Sequence, residues 1–204
     1  TSLIGYNVLS IMDEYKVSHL AIVNESEYLG IICETDLFNN DLNEPIGTYR
    51  LTLNNAFVKV NSHIFDTFRL ATEMKLTVIP VIDSNNCYLG SISSNELLNE
   101  MGQILSINSP GAIIEIEINI LDYHLSEIIR LIETNDTKVL NVSAQLKPET
   151  NLIIITIKLN KVEISSVIQT LNRYDYRIID QYGIDEMQDY LKDRFDSLMH
   201  FLNI

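Results

Sequence analysis

Ser18-His-Leu-Ala-Ile-Val23 and Thr77-Val-Ile-Pro-Val-Ile82 are two versions of one short apolar run, and each precedes the same tripeptide, Tyr28-Leu-Gly30 and Tyr88-Leu-Gly90. From 18 to 77 is 59 residues and from 28 to 88 is 60, so the period is about 60 with one turn residue inserted. Self-similarity at a fixed period of this size marks a repeated supersecondary unit.

Each copy follows one grammar: helix, strand, turn, strand after glycine, helix. In the first copy Val8, Leu9, Ile11, Met12 and Tyr15 are spaced as a helix, Leu20–Val23 and Leu29–Ile32 read as strands around the turn 24–27, and a helix starts near Glu34. In the second, Ile64–Met74 is the helix, Val78–Ile82 and Leu89–Ile92 the strands around the turn 83–86, and Ser94–Met101 the closing helix. A strand over Ala56–Val60 makes the second copy a βαββα unit, whereas the first reads as truncated on its N-terminal side.

The pattern apolar-apolar-Pro-Val-apolar-Asp at 78–83, then Leu-Gly-x-apolar-Thr/Ser-x-x-Asp/Glu at 89–96, resembles the cystathionine-β-synthase-type (CBS) domain, a module that occurs in tandem. The likeness covers residues 1 to about 105. It implies a regulatory pair that binds an adenine nucleotide (AMP, ADP or ATP) or S-adenosylmethionine.

Physical chemistry makes such a site intelligible. Gly30 and Gly90 are expected to end tight turns and admit close backbone approach. Cys33 and Ser93, three residues on, lie where a strand passes into a helix and unpaired amides favour an anion. Asp36 and Glu96 fall in the first helical turn, where a carboxylate can accept both hydroxyls of a ribose. The resemblance assigns Asp36 as the ribose acceptor of the first motif and Glu96 as its counterpart. It adds Thr35 and Asn95 as polar contacts, and gives His19, Leu20 and Ala21 with Val78, Ile79 and Pro80 the apolar and backbone contacts to a purine. Three departures from the family pattern, Ala21 for Pro, Cys33 for Thr or Ser and Glu96 for Asp, keep a second account open, in which both acids serve their helices and Ser93 is a plain N-cap.

Beyond Ile107-Asn-Ser-Pro-Gly111 the pattern changes. Ile114, Ile116 and Ile118 alternate with Glu115, Glu117 and Asn119 as in a half-buried strand, and Leu125, Ile128, Ile129 and Ile132 follow as a helix. Strands at 139–146 and 152–159, a helix through Ile164, Val167, Ile168 and Leu171, and a strand at 176–182 complete a βαββαβ order. That order fits a ferredoxin-like fold. Placed after a CBS pair, it resembles the ACT domain as arranged in acetoin-utilisation B-type proteins. Asp122 and Tyr123 in the loop after the first strand are candidate ligand contacts, with an Asp122 N-cap on the helix at Leu125 as the weightier reading. Residues 184–204 carry Met187, Leu191, Phe195, Leu198 and Leu202 on one stripe of an amphipathic helix, expected to pack on its own domain.

Composition bounds the function. Fourteen Lys+Arg against 28 Asp+Glu give a formal charge of −14, which repels polyanions, so nucleic acid is an unfavourable partner. Cys33 and Cys87 lack metal or disulfide spacing and suit a reducing cytoplasm, and the apolar runs are far shorter than the roughly 18 residues that span a bilayer. No GxxxxGK[ST], GxSxG or HExxH occurs, and His63, His124 and His200 are scattered, which speaks against an enzyme. The reading is an α+β chain: CBS repeats at 1–52 and 53–106, an ACT-like domain at 107–183 and a helix at 184–204. Its function is that of a cytoplasmic, homodimeric sensor with an unidentified protein target and no certain cofactor. The alternative is a dimerisation scaffold with degenerate pockets.

Overall fold

Val8 and Met12, one turn apart, point inward from the first helix, and their burial begins the first core. In the computed structural model, which describes residues 2–49 and 55–183, the chain divides into two units, Thr1–Met101 and Gly102–Ile204.

The first unit holds both repeats. The first repeat runs α1 (Gly5–Tyr15), β1 (His19–Asn24), β2 (Glu27–Cys33) and α2 (Glu34–Phe38). The second runs β3 (Val58–Lys59), α3 (Ile64–Met74), β4 (Val78–Ile82), β5 (Tyr88–Ser93) and α4 (Ser94–Ile104). β1 and β2 form an antiparallel pair, whereas β3, β4 and β5 form a sheet in that order with β3 parallel to β4. The period read from the sequence reappears in backbone detail. Lys16 and Lys75 both end their helices in the left-handed region, at φ 53° and 54°, where each N–H closes the last turn. The bulges fall between Ile22 and Val23 and between Val81 and Ile82, and Gly30 and Gly90 stand opposite them at φ 152° and 157°. These glycines therefore lie within the strands rather than at the ends of turns. At Gly90 an added Cβ would meet nothing within 4 Å, so conformation, not the expected close approach, is what favours glycine there.

Two cores meet in this unit. Val8, Met12, Ile22, Ile32, Leu37 and Ile46 make the first, while Ile79, Ile82, Ala71 and Leu97 belong to the second. β2 contributes to both, because Ile32 packs into the first and its neighbour Ile31 into the second. The Tyr28 hydroxyl donates to the Ala56 carbonyl at 2.9 Å, a further tie between the repeats.

The second unit comprises β6 (Ile113–Asn119), α5 (Leu125–Glu133), β7 (Val139–Leu146), β8 (Leu152–Leu159), α6 (Ser165–Arg173) and β9 (Arg177–Tyr182). Its antiparallel sheet has the order β7-β8-β6-β9, the split arrangement expected of βαββαβ. Alternation decides which face is covered. Ile114 and Ile116 lie beside Ile157 and Ile155, all fully buried beneath Ile128 and Ile132 of α5 and Val167 and Leu171 of α6. Burying each such side chain stabilises by about 1.5–3 kcal/mol. Gly111 enters this sheet at φ 145°, and a Cβ there would lie 1.9 Å from the Leu159 carbonyl oxygen, so close approach does fix that glycine.

The expectation for Asp122 is corrected. It lies in a 3-10 turn, Ile120–Asp122, while the N-cap of α5 is His124, without a side-chain capping bond. Asn119 takes the capping role one turn earlier, its Oδ1 accepting the Leu121 N–H at 3.0 Å. The helix expected over 184–204 and its Met187–Leu202 stripe lie outside the described residues.

Candidate functional site

The two motifs have the same residue spacing and different environments. In the first, Asp36 turns back onto its own cap. Its Oδ2 accepts the Cys33 N–H and the Cys33 thiol, both at 3.1 Å, and the thiol also lies 2.9 Å from Thr35 Oγ1. This is a reciprocal capping box on a five-residue helix, and Asp36 is only 2% exposed. In the second motif Glu96 Oε2 accepts the Ser93 N–H and hydroxyl, both at 2.8 Å, while Ser93 Oγ accepts the Glu96 N–H at 3.2 Å. Glu96 stays exposed, however, and its Oε1 has no hydrogen-bond partner among the described residues. The Ser93 amide and hydroxyl hold the Glu96 carboxyl below its ordinary pKa, so it is a carboxylate at neutral pH.

Glu96 borders a cavity of about 740 Å³ that both repeats wall. Its apolar lining comes from Ile11, Val17, Leu20 and Ala21 on one side and Val78 on the other, with Tyr15 and Tyr88 as aromatic surfaces. Thr77, Ser91, Ser93, Ser94 and Asn95 supply hydroxyls and an amide, and Lys16 and Glu96 are its charged side chains. The volume is of the size that encloses a drug-sized or nucleoside-sized molecule, and an apolar wall with a few convergent polar groups is the usual form of such sites. Lys16 also pairs with Asp13 at 2.7 Å, an exposed contact of little consequence for stability.

Six of the residues singled out from sequence line this cavity: Leu20, Ala21, Val78, Ser93, Asn95 and Glu96. The others, His19, Gly30, Cys33, Thr35, Asp36, Ile79, Pro80 and Gly90, do not. Ile79 and Pro80 are buried in the sheet, and Cys33, Thr35 and Asp36 form the closed capping cluster. The sequence reading missed Tyr15, Lys16, Thr77 and Tyr88. Tyr88 begins the repeated Tyr-Leu-Gly and was open to discovery, whereas Tyr15 and Lys16, at the end of α1, carry no motif that marks them as cavity lining.

His19 is half-buried one position from the wall. Its Nδ1 accepts the Thr77 N–H at 3.3 Å and lies 3.0 Å from Thr77 Oγ1, which in turn accepts the Ser18 N–H at 3.0 Å. Burial lowers the imidazole pKa, opposed by the Glu34 and Asp36 carboxylates. His63 caps α3 by accepting the Phe65 N–H at 3.2 Å. In the second unit Asp122 borders a smaller cavity of about 390 Å³ with Glu117, His124 and Glu127. Glu117 is held by Lys147 and Arg177, which keep its carboxyl below the ordinary range. Among the described residues no three His, Cys, Asp or Glu side chains come together as a metal site, and no helix is long and apolar enough to cross a membrane.

Comparison with known proteins now bears on the first repeat. Residues 6–43 match the CBS domain. That segment covers α1 through α2, the half of the first unit whose motif ends in Asp36. Several solved structures are similar at low identity. A CBS domain pair/ACT domain protein from Thermotoga maritima shares 21% identity over 51% of this chain and 86% of its own, with a TM-score of 0.47. CBSX2 in complex with AMP shares 22% over 50% and 84%, with a TM-score of 0.44. The CBS domains of a transcriptional regulator from Streptococcus pneumoniae share 14% over 48% and 82%, with a TM-score of 0.42. No curated protein matches the chain.

Proposed function

We propose that the first unit is a regulatory module that binds one adenosine-containing ligand in the cavity between its repeats, with Glu96 as the ribose acceptor. The observation that carries this reading is the contrast between two equivalent acids. Asp36 is buried and engaged with Cys33, whereas Glu96 stands at the cavity with one carboxylate oxygen open. A carboxylate so placed accepts two vicinal hydroxyls through charge-assisted bonds. Val78, Leu20 and Ala21 offer apolar contact to a base, Tyr15 and Tyr88 offer ring faces, and Lys16 is the available counter-charge for a phosphate or carboxylate. The repeats move little chemistry of their own; the role is sensing rather than catalysis. The second unit belongs to the proposal as an ACT-like partner domain in a cytoplasmic homodimer. Its sheet ends in β7 and β9, which have no further strand beside them among the described residues, and such edges suit pairing with a second copy.

The test is thermal stabilisation of the whole chain by AMP, ADP, ATP and S-adenosylmethionine. Ligand at a hundredfold over its dissociation constant stabilises by about 2.7 kcal/mol and raises the midpoint by several degrees. Glu96→Gln should remove most of that rise. A flat response to all four compounds would leave the scaffold with degenerate pockets as the better account.

A further inference from the structure

The cavity wall is fastened to a histidine that does not itself line it. Thr77 immediately precedes β4 and is the point where the two repeats are joined by hydrogen bonds: its amide and hydroxyl meet His19 Nδ1, and its hydroxyl takes the Ser18 amide. On its other side the Thr77 carbonyl accepts the Ser94 N–H at 3.0 Å, the first residue of α4 and the neighbour of Ser93. A continuous path of hydrogen bonds therefore runs from His19 through Thr77 to the helix start that presents Ser93 and Glu96. Thr77, Ser93, Ser94 and Glu96 all border the cavity.

A backbone N–H can only donate, so Nδ1 must be the acceptor and the neutral imidazole carries its proton on Nε2. Protonation places a second N–H on Nδ1, facing the Thr77 amide donor to donor. The Thr77 bond is then lost, and the hydroxyl must turn its own proton away. Among the described residues three segments bring charged or polar groups to the ring. Cys33 stands beside His19 across β1 and β2, Glu34 and Asp36 of α2 act on it through charge, and Thr77 meets it from the second repeat.

We infer that His19 is a positioning residue that makes ligand binding in this cavity depend on pH, tight when its imidazole is neutral and weakened when it is protonated. The inference rests on the binding site proposed above, but the imidazole chemistry can be read without any ligand.

Two measurements on the full chain decide it. In nitrogen-detected NMR of the free protein, His19 should be the Nε2–H tautomer at neutral pH, and the Thr77 and Ser94 amide shifts should follow the His19 midpoint. An Nδ1–H tautomer, or amide shifts that ignore that midpoint, would overturn the inference whatever binds. The binding arm uses adenosine, whose base and sugar stay uncharged where histidine titrates. Its affinity should fall about fivefold to tenfold between about pH 7.5 and a pH below the His19 midpoint that the NMR arm reads, the worth of one hydrogen bond. In His19→Asn the side-chain oxygen takes the place of Nδ1 as a non-titrating acceptor, so binding should stay near the parent's neutral value at both pH values. His19→Leu should bind weakly at both. A parent affinity that does not change with pH, or an Asn variant that changes as the parent does, contradicts the inference. Failure of adenosine to bind at about pH 7.5 counts instead against the proposed function, and the NMR arm then decides the role of His19.

Discussion

Replacing Asp36 by alanine removes the carboxylate that closes α2 onto β2. The side chain is 2% exposed and accepts two bonds from Cys33, one from the backbone amide and one from the thiol, each 3.1 Å long. Deleting it leaves the Cys33 amide without this acceptor in a buried place, which costs about 1–3 kcal/mol. Loss of the cap itself costs about 1 kcal/mol, partly the same energy counted at the helix. A net loss of about 2–3 kcal/mol is therefore expected, and in a unit of this size each kcal/mol lowers the midpoint by roughly 4–8 °C. Circular dichroism melts of parent and variant at neutral pH read the effect, with Asp36→Asn as a milder control that keeps the shape of the side chain. Glu96→Ala, exposed but also the acceptor of the Ser93 amide and hydroxyl, should lose only the worth of an exposed cap, at most about 1 kcal/mol. Equal small losses in both variants, or an Asp36→Ala midpoint within about 2 °C of the parent, would refute the assignment of Asp36 to structure.

Three further outcomes follow from the same geometry. Burial lowers the His19 pKa in the folded chain, so the unfolded state takes a proton first: stability should be complete above the ordinary value of about 6.5 and decline as pH falls through the folded value, with His19→Asn flattening that part of a urea-midpoint profile. Ile155→Ala, fully buried at the centre of the second sheet, should destabilise by about 2–5 kcal/mol in urea unfolding, and a change under about 1 kcal/mol would contradict the core as described. A chain ending at Ile107 should show a smaller or weaker oligomer than the full chain by light scattering if the second unit carries self-association, and an equally tight oligomer would argue that it does not.

Most of the fold was legible because its determinants are local. The repeated Tyr-Leu-Gly, the alternating isoleucines at 114, 116 and 118 and the helical spacing from Val8 to Tyr15 each place a side chain on a definite face without knowledge of the rest. The site was less legible because the two motifs differ in side-chain length and in burial, and only the first of these is written in the sequence. Asp36 reaches back to close on Cys33 in a buried cap, while the longer Glu96 satisfies Ser93 from the surface. The resemblance pointed to Asp36 first; in the fold Asp36 is buried in its cap and Glu96 borders the cavity. Lys16 and Tyr15 could not be read from any motif, since they share the cavity with residues some 60–80 positions away in the chain. The capping of α5 went astray because a 3-10 turn ends at Asp122, two residues before the N-cap His124, and the helix starts without a side-chain cap.

Isothermal titration calorimetry of AMP into the parent chain and into Glu96→Gln decides whether Glu96 holds the ribose. One site per chain is predicted in the parent. Affinity should fall about tenfold or more in the variant, because a charge-assisted pair of bonds to the sugar becomes a neutral one. Unchanged affinity in Glu96→Gln, two equivalent sites per chain, or affinity lost in Asp36→Asn while Glu96→Gln binds normally would contradict the account.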